Sequence, residues 1–226
     1  VELFHSSDSF LKPLQEAGFP VAFVPRIEGV AGSYDKEEGL QMLAPHHRKA
    51  VEGLPGYRWE QLWRAEQVHG DQIAAVGGEG VSPEMVAGVD GLMSHDPESL
   101  LGIYVADCGL LWLADQRTGA VSLLHSGRKG TEAGILLKAV TAMGTHYGTQ
   151  AEDLLVVLGP CIRPPLYEVD IAKLLAEQAQ EAGVGQFLDS GICTGAEVER
   201  YYSYRVEKGK TGRMLGLLAS KRPEHS

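Results

Sequence analysis

Short apolar runs, many of them β-branched, recur along the chain and are punctuated by glycines and charged side chains. Such runs predict buried strands. The central set covers residues 101–106, 110–115 and 120–124, with Thr118-Gly119 as the turn between the last two. Upstream, residues 8–17 predict a short helix, and Val21-Ala22-Phe23-Val24-Pro25-Arg26 a strand reaching Arg26, followed by a loop with Gly29 and Gly32. Residues 35–53 read as a weak helix broken near Pro45. A strand-like stretch then runs from Trp59 to His69-Gly70, with residues 72–76 as its returning strand.

Downstream, Ile135, Leu136, Ala139, Val140 and Met143 share one helical face. Residues 154–158 predict a strand and residues 159–165 a stiff loop. Asp170 caps a helix over residues 171–182 that turns Leu174, Leu175 and Ala179 inward. Residues 201–206 predict an aromatic strand, and the Gly209–Gly212 turn leads to a final short helix. No repeat, linker or low-complexity tract divides the chain, so one α+β domain over residues 1–226 is expected, with mixed sheets and packed helices.

Composition narrows the function classes. The net charge of −10 lacks the basic footprint of a general nucleic-acid binder. No apolar run approaches a membrane span, and VELFHSSDSF lacks the basic start and apolar core of a signal peptide. Glycine is abundant, with 28 residues, which fits many turns and close backbone approaches. Three scattered cysteines make no disulfide framework, so a cytoplasmic protein with reduced thiols is expected.

His69, Cys108 and His125 each close a strand-like run and are followed closely by glycine. A Cys and two His make a zinc set with one position left for water or substrate, although their spacings match no short zinc motif. Each of the three alone also reads as a packed thiol or a hydrogen-bonded ring at a strand end. Ser126-Gly127-Arg128-Lys129-Gly130 opens the next helix and offers Arg128 and Lys129 to a phosphate or carboxylate, or simply to solvent. Arg26 and Arg48 would join that site only through the fold. Tyr167-Glu168 is a candidate substrate contact. Cys161 is expected to be structural and Cys193 buried, with His5, His95, His146 and His225 at the surface.

Several segments taken together resemble the YfiH/YlmD laccase-domain family. They are Gln67-Val68-His69-Gly70, Val89-Asp90-Gly91-Leu92-Met93, Ala106-Asp107-Cys108 and His125-Ser126-Gly127. They continue with Leu158-Gly159-Pro160-Cys161-Ile162, Tyr167-Glu168-Val169, Cys193-Thr194, Tyr202-Ser203-Tyr204-Arg205 and Thr211-Gly212-Arg213. The resemblance implies a fold related to the catalytic domain of cytotoxic necrotising factor. It also implies zinc-dependent phosphorolysis of purine nucleosides, with adenosine deamination at the same site, and puts the family's His–Cys–His set on His69, Cys108 and His125. The family has also been described as a copper oxidase, which makes copper the alternative metal, and as a peptidoglycan-editing factor.

The sequence departs from the family pattern in three places. His-Ser-Gly-Arg-Lys-Gly stands for the family's His-Ala-Gly-Trp-Arg-Gly, Arg26-Ile27-Glu28-Gly29 for Arg-x-Gly-Gly, and Pro-Pro-Leu replaces the family's second Cys before Tyr167-Glu168-Val169. Lys129 in place of arginine holds phosphate as a point charge and not through a fork. Altered substrate choice or weakened activity is the expected consequence. Two other readings use the same residues: a metal-free cysteine hydrolase with Cys108 as nucleophile and His125 as base, and a binding protein without turnover. A multicopper oxidase ranks third, after the phosphorylase and the cysteine hydrolase, because the eight histidines are mostly in scattered, polar positions.

Overall fold

From Gly109 to Asp115 every side chain is buried, and alternate residues enter different cores. Leu110, Trp112 and Ala114 face one way, Leu111 and Leu113 the other. A strand covered on both faces must lie inside a stack of layers, which is why its sequence is a continuous apolar run. The computed structural model describes residues 9–78 and 80–222, so His5 and His225 lie outside the described residues.

In chain order the elements are α1 (Lys12–Glu16), β1 (Val21–Val24), α2 (Lys36–Glu52), β2 (Leu62–Ala65), β3 (Ile73–Ala75), β4 (Met85–Val86), β5 (Gly91–Ser94) and β6 (Leu100–Val105). They continue with β7 (Gly109–Asp115), β8 (Val121–Ser126), α3 (Arg128–Glu132), α4 (Ile135–Tyr147), β9 (Leu154–Leu158), α5 (Ile171–Ala182), β10 (Gln186–Asp189) and β11 (Met214–Ala219). One sheet has the order β1-β11-β6-β2-β4 and the other β10-β9-β7-β8-β5-β3. Both mix parallel and antiparallel pairs. This is a single-domain α+β fold.

The central core lies between the sheets. Leu101, Ile103 and Val105 of β6 and Met214 and Leu218 of β11 pack with Leu110 and Trp112 of β7 and Leu123 of β8. Each such buried side chain contributes about 1.5–3 kcal/mol relative to exposure. Gly216 permits this approach, since a Cβ there would stand 2.9 Å from the Trp112 ring and 2.5 Å from Leu110. The indole N–H of Trp112 donates to the Leu217 carbonyl at 3.0 Å, so the buried ring has its polar partner. Outside, α4 and α5 cover one sheet through Leu136, Met143 and Leu175, while α2 covers the other through Ala50 and Val51.

Several expectations are corrected. Pro45 does not break its helix: α2 runs unbroken from Lys36 to Glu52. Pro45 and Gln41 are both exposed, so the carbonyl left without its partner faces water. Residues 73–75 do not return beside β2 but pair with β5 in the other sheet.

Residues 201–206 form turns and not a strand. Tyr201 and Tyr202 are core plugs, while Ser203 and Glu207 bond each other's backbone and side chain locally. The final apolar run is β11, a strand flanked by β1 and β6; a short apolar run does not reveal its period. Cys193 is half-buried, and β10 was not anticipated.

Candidate metal and substrate site

Among the segments that step from one sheet to the other, two carry a candidate donor. The first joins β2 to β3 and holds His69; the second joins β6 to β7 and holds Cys108. In the first, Gln67 and His69 have left-handed backbones, φ 63° and 61°. Such geometry costs a non-glycine residue roughly 1–2 kcal/mol, and the buried Asp90 offsets it. One carboxylate oxygen of Asp90 accepts the His69 amide at 2.9 Å; the other accepts Val68 at 3.2 Å and Gly70 at 2.6 Å. The Gln67 side-chain amide clasps Tyr104, accepting its N–H at 2.9 Å and donating to its carbonyl at 2.5 Å.

Asp107 fixes the second crossing, with φ 81°. Its carboxylate accepts the Thr194 hydroxyl at 2.6 Å and the Arg205 amide at 2.7 Å, and its carbonyl accepts the Ile162 amide at 2.8 Å. His125 lies inside β8, opposite Leu110 of β7. Its Nδ1 lies 2.7 Å from Asp90 Oδ1, which assigns a proton to Nδ1 and leaves Nε2 as the ring nitrogen offered to the donor set. His69 meets the His125 ring edge-on, with centroids 4.9 Å apart.

The donor atoms of His69, Cys108 and His125 all lie within 4.8 Å of one another. Gly127 leaves room beside them, since a Cβ there would stand 3.0 Å from the His69 ring and 3.2 Å from Cys108 Sγ. Burial alone would raise the Cys108 thiol, but the charge and hydrogen bond of His125, with the hydrogen bond of His69, draw it down to about 6. For His125 burial works downward, yet the thiolate and Asp90 lift it to about 9. For Cys161 burial outweighs the lowering charge of Arg163 and pushes the thiol up to about 12. The chemistry of the set, two nitrogens and a readily ionised sulfur with a carboxylate behind one ring, fits a nitrogen- and sulfur-preferring ion such as zinc or copper.

The three donors open into a cleft of about 840 Å³ that Arg128, Lys129 and Tyr167 also line. Arg128 pairs with Glu132 at 2.9 Å and Glu168 at 3.5 Å, whereas Lys129 has no acidic partner among the described residues. Their helix α3 has five residues and is separated from α4 by Gly134, so their contribution to anion binding is side-chain charge and not a helix terminus.

Arg26 and Arg48 are not among the cleft residues. Arg26 is bound to Glu207 at 2.6 Å and lies over the Tyr202 ring, and Arg48 pairs with Glu52 and Glu60 on the outer face of α2. Arg205 and Arg213, which stand in segments that carry the family resemblance, line the cleft, as do Lys36 and Lys208, which no local pattern marks. Asp90 and Gln67 also stand in those segments, and the fold makes them supports of the two crossings. A single acid inside the apolar run Val89–Met93 was the available signal for Asp90.

The family model for multi-copper polyphenol oxidoreductase laccase matches residues 42–172 and 167–221. A purine nucleoside phosphorylase of Deinococcus radiodurans is 30% identical over 91% of this chain and 90% of its own length. Purine nucleoside phosphorylase YlmD of Geobacillus stearothermophilus is 29% identical over 76% of this chain and 77% of its own. The crystal structure of YlmD from the same organism superposes with a TM-score of 0.80 at 25% identity, over 91% of this chain and 93% of that one. The family match spans the three donors and every cleft residue but Lys36, and the chain belongs to the multi-copper polyphenol oxidoreductase laccase family.

Proposed function

We propose that this chain is a zinc-dependent purine nucleoside phosphorylase that also deaminates adenosine, with His69, Cys108 and His125 as both the metal ligands and the catalytic set. The observation that carries this reading is the convergence of three donors within 4.8 Å at one wall of a cation-lined cleft. The relatives named purine nucleoside phosphorylase support the substrate class. Zinc held there would supply Lewis acidity and a bound water acidified toward about pH 7, the hydroxide that deamination requires.

The chain's own residues hold the rest of the chemistry. Lys129 and Arg128 bind phosphate for attack on the ribose carbon, and Tyr167 offers a ring to the substrate. Asp90 keeps the His125 ring in one orientation through its Nδ1. The free thiols of Cys108, Cys161 and Cys193 accord with a cytoplasmic location. No helix among the described residues is long and apolar enough to cross a membrane.

A second reading has its own observation: the lowered Cys108 thiol beside a raised His125 is the ion pair of a cysteine nucleophile. Metal analysis separates the two. About one zinc per chain, lost in Cys108→Ala, together with phosphate-dependent release of base from inosine or adenosine, supports the phosphorylase. Copper in its place reopens the oxidase chemistry. A metal-free protein that iodoacetamide inactivates at Cys108 supports the hydrolase.

A further inference from the structure

The cleft holds a second group of cations, away from α3 in the sequence. Ser33 and Thr211 pair their backbones, the Ser33 amide donating at 3.3 Å and the Thr211 amide at 3.2 Å. That bridge brings Lys36, three residues after Ser33, to the segment that carries Lys208 and Arg213, and all three line the cleft. The acids nearby are already engaged. Glu207 accepts Arg26, the Ser203 amide and the Thr211 hydroxyl, while Asp107 accepts Thr194 and the Arg205 amide. Lys36 donates to the Glu66 carbonyl at 3.2 Å and Arg213 to the Gly212 carbonyl at 2.9 Å. Among the described residues none of the three cations forms a salt bridge with a carboxylate, although the charge of the already engaged Asp107 acts on Arg213.

Unpaired cations lining a cleft, in a chain of net charge −10, concentrate an anion there. Phosphorolysis of a neutral nucleoside brings in one phosphate, for which Lys129 and Arg128 stand next to Gly127 and the donors. The second group is left for another dianion. The substituent that a purine nucleoside carries away from its glycosidic bond is the 5′-phosphate of a nucleotide.

We propose, resting on the phosphorylase reading above, that the preferred substrates are purine nucleoside 5′-monophosphates, with Lys36, Lys208 and Arg213 holding the 5′-phosphate. In the reaction the C1′–N9 bond breaks and its electron pair leaves with N9, which takes up a proton. A C1′–O bond to inorganic phosphate forms, giving free base and ribose 1,5-bisphosphate with no change of oxidation state.

The test compares AMP with adenosine at fixed phosphate, reading adenine release by the metal-loaded protein. The parent should show kcat/KM for AMP above that for adenosine by about tenfold or more, the scale of a charge-assisted contact. In the double variant Lys36→Ala, Lys208→Asn the ratio should fall toward one. Asparagine is chosen because Lys208 has φ 53°, which it tolerates. A parent ratio of one or less, or a ratio that the double variant leaves unmoved, overturns the proposal.

If neither compound releases adenine, the phosphorylase reading has failed, and calorimetry in phosphate-free buffer still decides the site. AMP binding more tightly than adenosine in the parent but not in the double variant upholds it. Equal affinities overturn it.

Discussion

Asp90 and His125 are tied twice: the His125 ring lies 2.7 Å from the Asp90 carboxylate, and the His125 amide donates to the Asp90 carbonyl at 2.7 Å. The same carboxylate gathers three amides of the crossing that carries His69. One buried acid therefore sets the position of two of the three donors. Asp90→Ala should lower stability by about 3 kcal/mol, since several amides and a ring N–H lose their acceptor together. It should also weaken metal binding roughly 10- to 100-fold. Thermal melting and a competitive chelator titration measure both, and metal affinity at the parent level would refute the assignment.

Gly127 has φ −77°, which alanine adopts freely, so Gly127→Ala tests space and not backbone strain. The added methyl would press on the His69 ring and Cys108 Sγ. Crowding of this kind costs about 1–3 kcal/mol, and here it falls on the donor set. The expected outcome is a folded protein by circular dichroism with reduced metal content. Full metal content in the variant would show that the donors do not close on the space beside Gly127.

Thiol chemistry should be selective in metal-stripped protein. Cys108 is drawn down to about 6 while buried Cys161 is pushed up to about 12, so iodoacetamide at pH 7 should label Cys108 ahead of Cys161. The labelling rate should fall as pH drops through about 6, and added zinc should protect the thiol. Peptide mapping reads the order, and Cys161 labelled first would contradict it.

Burial would raise the Glu207 carboxyl, but Arg26, Thr211 and the Ser203 amide outweigh it and hold the group below the ordinary glutamate range. A depressed carboxyl adds stability that is fully present above the unfolded value, about 4.3, and is lost as pH falls through the folded value. Glu207→Gln should therefore destabilise the protein at neutral pH and converge with the parent in acid. Parallel melting curves from pH 7 to 3 measure this, and a constant difference across that range would remove Glu207 from the account.

What the sequence reveals follows burial. β9 and β7 were legible because both of their faces are apolar and their ends are marked by glycine or charge. Residues 201–206 misled because Tyr201 and Tyr202 carry strand-like composition but plug the core from a turn. His69, Cys108 and His125 could be picked out as chemically apt residues beside glycines. The cation wall could not be, because Lys36 and Lys208 come to one cleft through the Ser33–Thr211 bridge, which leaves no local pattern. Arg26 looked available until the fold gave it Glu207.

His69 and Cys108 sit on two of the chain segments that stitch one sheet to the other, and His125 belongs to the sheet those two segments arrive at. The donor set is thus a gauge of how the halves of the sandwich are seated. Loosening the seam at a distance, for instance by trimming Trp112 or Phe23, would spread the gauge without touching it. An ion captured there would act as a rivet, so that loading the site and locking the two sheets are one event.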